Sequence, residues 1–279
     1  MSSSSAPKLS AYVLTRNSGR MLAEVLAPVY RVADEIVVLD SGSSDATLEI
    51  ARVYGCRVER RAFDNFAAQR QAAQDLCSHD HVLFVDSDEV MSDALVDAVL
   101  QVKRQGFPGH VYAFRREWYV MGRKVRGLYP VNSPDYPIRL LDRRKSDFCN
   151  SSIVHESPSN SDDPVVLDRP LSHFTFPTKA EFNKKLAFYS SLHADTVLGW
   201  NKPVPSRTNA AVRAVSAFCK WYFMKRLVLD GRAGFHCARY AARYTYLKYE
   251  HARQAHGRGD RDGRTITKIM GIVMGMVAI

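Results

Sequence analysis

The sequence predicts an α/β protein, a parallel sheet with covering helices, followed by a basic, aromatic helical extension. Two observations predict the sheet. Short Val-, Ile- and Leu-rich runs alternate with helical stretches through the first half, and each run ends in turn-forming or capping residues. A third predicts the extension: residues 200–279 hold 15 Lys and Arg against 4 Asp and Glu, whereas residues 1–199 hold 24 against 25.

Taken in order, LSAYVLT at 9–15 reads as the first strand and RMLAEVLAPVYRVA at 20–33 as its helix. EIVVLD (35–40) is the second strand. Helical DATLEIARVYG (45–55), strand RVER (57–60), helical FAAQRQAAQDLCS (66–78) and strand HVLFVD (81–86) continue the rhythm. Ser44 or Asp45 is placed to cap the helix after the second strand. After a helical stretch at 92–105, HVYAFRREWYVMG (110–122), YPIRLLDRR (136–144) and the shorter SSIVHES (151–157) read as strands of a mixed or antiparallel addition. From Lys179 onward the pattern is helical, with Gly199 and Gly231 as stops.

The totals narrow the class. A chain of 279 residues with 46% hydrophobic content supports one large or two modest globular domains. Five cysteines, odd in number and free of any C-x-x-C spacing, suggest neither a disulfide framework nor a zinc site and fit a reducing compartment. The opening MSSSSAPKLS lacks an apolar signal core, so residues 1–8 are expected to be a disordered N-terminus and the protein cytoplasmic. The tail IMGIVMGMVAI, 11 residues, is short of the ~18 to 20 that a spanning helix needs. The net charge of +10 and the Trp, Phe, Tyr and Met set among Arg and Lys after residue 205 suit a helix pair at an anionic membrane interface. Trp221, Phe223 and Met224 either face that membrane or cover the rest of the protein. No recognised nucleic-acid motif accompanies the basic tail, so nucleic acid is not an expected partner.

In open α/β sheets the ligand crevice lies outside the strands' carboxyl ends, which puts Thr15–Ser18, Asp40–Asp45 and Asp86–Glu89 on one rim. Carboxylates crowded after a buried strand call for a cation. Asp86 and Asp88 are spaced to hold Mg²⁺ or Mn²⁺, which bind through one or two protein carboxylates plus substrate phosphates. The plainer alternative is that they end the strand while Ser92 caps the next helix.

The ordered set DEIVVLDSGSSDATLEIA, NFAAQRQAA, VLFVDSDE, PDYPIRLLDR, VHE and HFTF resembles the family 2 glycosyltransferases of GT-A fold, and within them the bacterial lipopolysaccharide-core β-1,4-glucosyltransferases. The resemblance runs over residues 9 to about 195, and the basic aromatic tail also looks like theirs. It implies a GT-A catalytic domain at 9–199, a mixed nucleotide-sugar-binding sheet flanked by helices, and a membrane-associating extension at 200–279. It also implies roles. Thr15 and Asn17 would lie against the nucleotide, Asp40 would contact the base, and Gln69, Arg70, Ser87 and Arg139 would complete the nucleotide-sugar site. Asp86 would serve both the nucleotide sugar and the metal, Asp88 and His173 the metal, while Glu89 would orient the loop. Glu156 in IVHES would be the catalytic base, with Asp135 the second choice. Two departures stand out: Ser18 replaces a commonly acidic residue, and DSD stands where DAD is frequent.

The implied activity is inverting transfer of a hexose, glucose foremost, from a UDP-sugar to a lipopolysaccharide-core or other lipid-linked glycan at the inner face of the cytoplasmic membrane. The alternatives are transfer to a polyprenyl phosphate carrier and a non-catalytic nucleotide-binding scaffold.

Overall fold

The computed structural model describes residues 7–148, 157–176 and 204–257, with residues 178, 180–183, 185–187, 190 and 197 between them. Residues 1–6 of the expected disordered N-terminus, all of SSIVHES but Ser157, and the 11-residue apolar tail lie outside the described residues. The chain folds as two compact units that interleave in sequence. Of the described residues, the first takes those up to Arg116 and between Tyr136 and His173; the second takes Glu117–Asp135 and those from Phe174 to Gly257. The segment 9–199 therefore contributes residues 117–135 and its described residues from Phe174 onward to the second unit.

In the first unit β1 (Leu9–Thr15), β2 (Glu35–Asp40), β3 (Arg57–Arg60) and β4 (His81–Asp86) pair in parallel, in the order β3-β2-β1-β4. Between them run α1 (Leu22–Tyr30), α2 (Thr47–Val53) and α3 (Phe66–Leu76). All seven residues of β1 are buried, because both faces of the sheet are covered. Leu9, Ala11 and Val13 join Leu22, Val25 and Leu26 of α1 in one core; Tyr12 and Leu14 meet Ala73 and Phe84 in another. That split is the period of two expected of a strand. The register sets Thr15 opposite Asp40 and Leu14 opposite Asp86, so the polar strand ends share one edge of the sheet.

Past β4 come β5 (Glu89–Met91), α4 (Asp93–Arg104), β6 (Val111–Val120), β7 (Arg123–Lys124), β8 (Gly127–Leu128), β9 (Val131–Asn132), β10 (Ile138–Asp142) and β11 (Val165–Thr175). The sheet continues beyond β4 as β10-β6-β11-β5, with β10 antiparallel to β4 and β5 antiparallel to β11. This order forces a curl. Four strand steps at ~4.8 Å would separate β4 from β5 by ~19 Å in a flat sheet, but three residues reach only ~10 Å. The sheet is thus mixed and flanked by helices, as the resemblance implies, and it is also curled.

The starts of α4 and α3 follow capping side chains. Ser92 Oγ accepts from the Leu95 N–H at 3.2 Å and Asn65 Oδ1 from the Ala68 N–H at 2.9 Å. Neither Ser44 nor Asp45 is the N-cap of α2. That position is Ala46, and Asp45 instead accepts from the Thr47 N–H at 3.1 Å and the Gly19 N–H at 3.0 Å.

The second unit contains α5 (Arg207–Cys219), a π-helical turn (Lys220–Met224), a 3-10 turn (Leu227–Asp230) and α6 (Gly231–Gly257). α6 turns Ala233, Cys237, Ala238, Tyr240, Ala241 and Tyr244 into a core shared with Trp221, Leu227, Phe176 and Phe182. Close approach is built in: a Cβ on Gly234 would sit 1.8 Å from the Leu227 carbonyl oxygen, which only glycine tolerates. Among the described residues no helix is long and apolar enough to cross a membrane.

Candidate active site

The site is assembled at the carboxyl ends of β1, β2 and β4, where three loops are laced together by side chains. Thr15 Oγ1 donates to Asp40 Oδ1 at 3.1 Å, and Asp40 Oδ2 accepts from the backbone N–H groups of Gly42 and Ser43, each at 2.9 Å. Asp40 is fully buried and shapes the turn after β2. Asn17, held at φ +53° where Asn is among the tolerated residues, accepts from the Ser44 N–H at 2.8 Å, and its own N–H donates to Ser43 Oγ at 2.8 Å. Ser18, where an acidic residue is common, donates through Oγ to Ser87 Oγ at 3.0 Å and so ties the β1 loop to the turn after β4.

α3 supplies the next pair. Gln69 is buried and spans from Ser41 Oγ (2.9 Å, as donor) to the Arg61 guanidinium (2.7 Å, as acceptor). One position on, Arg70 Nη2 donates to Asp86 Oδ1 at 2.8 Å. Arg139 on β10 donates from Nη2 to the other oxygen of Asp86 at 2.9 Å. Both guanidinium carbons lie 5.5 Å from the Phe84 ring centroid, an apolar floor that keeps the cations in place.

Asp86, Ser87, Asp88 and Glu89 divide the work of the acidic turn. Glu89 is 0% exposed and fully engaged: its Oε2 accepts from Arg139 Nε at 2.7 Å and the Asp86 N–H at 3.1 Å, its Oε1 from Arg139 Nη2 at 2.8 Å and Arg116 Nη1 at 3.0 Å. Burial pushes its carboxyl upward, but Arg139 and Arg116 outweigh that and bring it down to about 2. Burial likewise opposes charge on Asp86, and Arg70 and Arg139 overcome it, holding that carboxyl well below the usual carboxylate range. Asp88 is different. It is 27% exposed, and its Oδ1 lies 3.3 Å from Nε2 of His173 on β11.

The structure thus brings Thr15, Asn17, Asp40, Gln69, Arg70, Asp86, Ser87, Asp88, Arg139 and His173 to one unit. Glu156 and His155 lie outside the described residues. Asp135 belongs to the second unit, where its Oδ1 accepts from Trp118 Nε1 at 2.9 Å. Arg116 is a site residue that sequence reasoning missed. Its signal was available: of two consecutive arginines in a strand, one must point to the covered face.

No group of three or more His, Cys, Asp or Glu that could hold a metal ion occurs among the described residues. The Asp88–His173 pair offers one oxygen and one nitrogen donor on partly exposed side chains. That set fits an ion such as Mn²⁺ whose other positions go to substrate oxygens or water, and it does not form a closed cage.

A family model described as glycosyl transferase family 2 matches residues 10–161. The chain belongs to that family. This family 2 glycosyltransferase is 26% identical over 239 residues to an uncharacterised glycosyltransferase of Rickettsia prowazekii, covering 82% of this chain and 80% of that one. It is 27% identical over 255 residues to the lipopolysaccharide core biosynthesis glycosyltransferase LpsC of Rhizobium meliloti, covering 89% and 93%. Among solved structures it is similar to glucosyl-3-phosphoglycerate synthase of Mycobacterium tuberculosis in complex with Mn²⁺, UDP-glucose and phosphoglyceric acid. That match has a TM-score of 0.35 and 21% identity, and covers 39% and 44% of the two chains.

Proposed function

We propose that this glycosyltransferase is inverting and metal-dependent, and moves glucose from UDP-glucose to a lipopolysaccharide-core or other membrane-associated glycan. The supporting observation is the split acidic turn: Asp86 neutralised by Arg70 and Arg139, and Asp88 left beside His173. The LpsC relative supports the acceptor class, and the basic aromatic second unit supports a peripheral place on the inner face of the cytoplasmic membrane.

In this reading Asp88 and His173 hold the divalent ion, which supplies positive charge to the leaving diphosphate. Arg70 and Arg139 keep Asp86 ionised and fix the turn, so that Asp88 is presented without rearrangement. Asp40, Asn17 and Ser43 set the two loops that receive the nucleoside. The acceptor hydroxyl needs a base on the opposite side of the sugar from the leaving group; Glu156 is assigned that part and Asp135 is the alternative.

Calorimetric titration of UDP with and without Mn²⁺ tests the donor half. The expected result is that Mn²⁺ tightens UDP binding at least tenfold and that Asp88→Asn or His173→Ala abolishes the tightening while metal-free binding persists. Equal UDP affinity with and without Mn²⁺ in the unaltered protein would sink the proposal. Transfer of labelled glucose to isolated lipopolysaccharide, read by mass, tests the acceptor half.

A further inference from the structure

The second unit carries an apolar surface that its core does not use. Of the twelve large hydrophobic side chains exposed among the described residues, seven fall between Val212 and Phe235: Val212, Val215, Phe223, Met224, Val228, Leu229 and Phe235. They centre on the turns joining α5 to α6. Each turn sends one residue inward, Trp221 and Leu227, and an adjacent pair outward, Phe223–Met224 and Val228–Leu229. Phe223 is 59% exposed, Met224 76% and Leu229 64%.

The backbone here is fixed. The Lys225 N–H donates to the Lys220 carbonyl at 2.9 Å and the Arg226 N–H to the Phe223 carbonyl at 3.1 Å. Arg226 takes a left-handed φ of +58° and reverses the chain between the two turns. Behind the outward pairs Phe218, Tyr222 and Phe235 pack on one another, with Phe218 and Tyr222 stacked at 5.2 Å.

The charges along this stretch are nearly all positive. Residues 212–235 contain Arg213, Lys220, Lys225, Arg226 and Arg232 against a single acid, Asp230, which is paired with Arg126. A contiguous apolar patch marks an interaction surface, and a cationic rim selects an anionic partner with an apolar interior. Soluble acidic proteins satisfy the rim but not the four adjacent apolar side chains at its centre. An anionic bilayer satisfies both.

We propose that the α5–α6 turn is a membrane-insertion wedge: Phe223, Met224, Val228 and Leu229 enter the headgroup–acyl boundary while Lys220, Lys225 and Arg226 bind lipid phosphates. This deepens the peripheral-membrane part of the proposed function and rests on it. α6 itself lies outside the hydrocarbon, since its apolar face is occupied by its own core. Membrane binding is therefore shallow and reversible.

Flotation of the full chain with vesicles decides it. Unaltered protein is expected to float with vesicles of equal parts phosphatidylglycerol and phosphatidylethanolamine, and not with phosphatidylcholine alone. The variant F223S/M224S/V228S/L229S is expected to lose at least tenfold in partition, and K220E/K225E to lose the preference for anionic lipid. Because these side chains are exposed, both variants keep the unaltered thermal midpoint and UDP affinity, which separates failure of the wedge from failure of the donor reading. In L229W, tryptophan emission shifts to the blue on vesicles and is quenched by brominated acyl chains. If the serine variant floats like the unaltered protein, the wedge is wrong. It is equally overturned if the unaltered chain does not float, or if it is a dimer that the serine variant dissociates, which would make this surface a contact between copies.

Discussion

The rim of the first unit and the α5–α6 turn of the second break the same rule in opposite ways. Charged residues are almost never fully buried unless paired, and large apolar patches are seldom exposed. The rim buries Glu89 and most of Asp86, and satisfies them with Arg70, Arg116 and Arg139. The turn leaves Phe223, Met224 and Leu229 more than half exposed, with Phe223 only edge-on to Tyr222. One departure is closed by the protein itself. The other is left for something outside it, and that difference separates a framework from a docking surface.

The contrast is easiest to break at Glu89. Removing one member of a buried ion pair strands its partner, so Glu89→Ala should destabilise folding by about 3–5 kcal/mol, measured by urea unfolding. An unchanged midpoint would mean that the buried network is not a framework. The same carboxylate predicts an acid limit. Its folded pKa of about 2 lies below the ordinary 4.5, so its stabilisation is present above about 4.5 and is lost as pH falls toward about 2. Glu89→Gln should flatten the dependence of the urea midpoint on pH within that window.

Asp88 sharpens the comparison from the other side. Asp88→Ala should lower transfer about a hundredfold and leave the unfolding midpoint in place, since the side chain is partly exposed and outside the arginine network. A large loss of stability would move Asp88 into the framework. Smaller still is Asn65→Ala, which removes the N-cap of the helix that carries Arg70 and should cost about 1 kcal/mol. Met224→Ser should change stability by less than about 0.5 kcal/mol, as expected where a side chain does nothing for the fold.

The sequence was most readable where local pattern and burial agree. LSAYVLT, EIVVLD and HVLFVD coincide with β1, β2 and β4 because covered parallel strands are continuous apolar runs, and RVER, an edge strand with no buried residue, coincides with β3 because turn signals bound it. β11 was not read as a strand. VVLDRPLSHFT is interrupted by Asp168, Arg169 and Pro170, and Pro170 can stand there because the pairing with β5 begins one residue later. β5, three residues long, carries no periodicity at all. Asp86, Asp88, Arg70 and His173 were named from their residues and the family resemblance, but their division into two pairs was not visible. Which carboxylate receives an arginine depends on β10 and β11 arriving from more than 50 residues away.

That long reach sets a timetable for biosynthesis. The parallel strands β1 to β4 are complete once residue 86 has been made, with Ser18 and Arg70 already in the chain, yet the turn that follows them still lacks Arg116, Arg139 and the stretch Leu171–His173, which holds β5 in register. A nascent chain of about 160 residues already has the sheet's parallel half but an incomplete acidic turn, since non-local pairings form only after the intervening loop closes. The Asp88–His173 pair is therefore the last part of the first unit's rim to form, and it can form before the α5–α6 turn has been made.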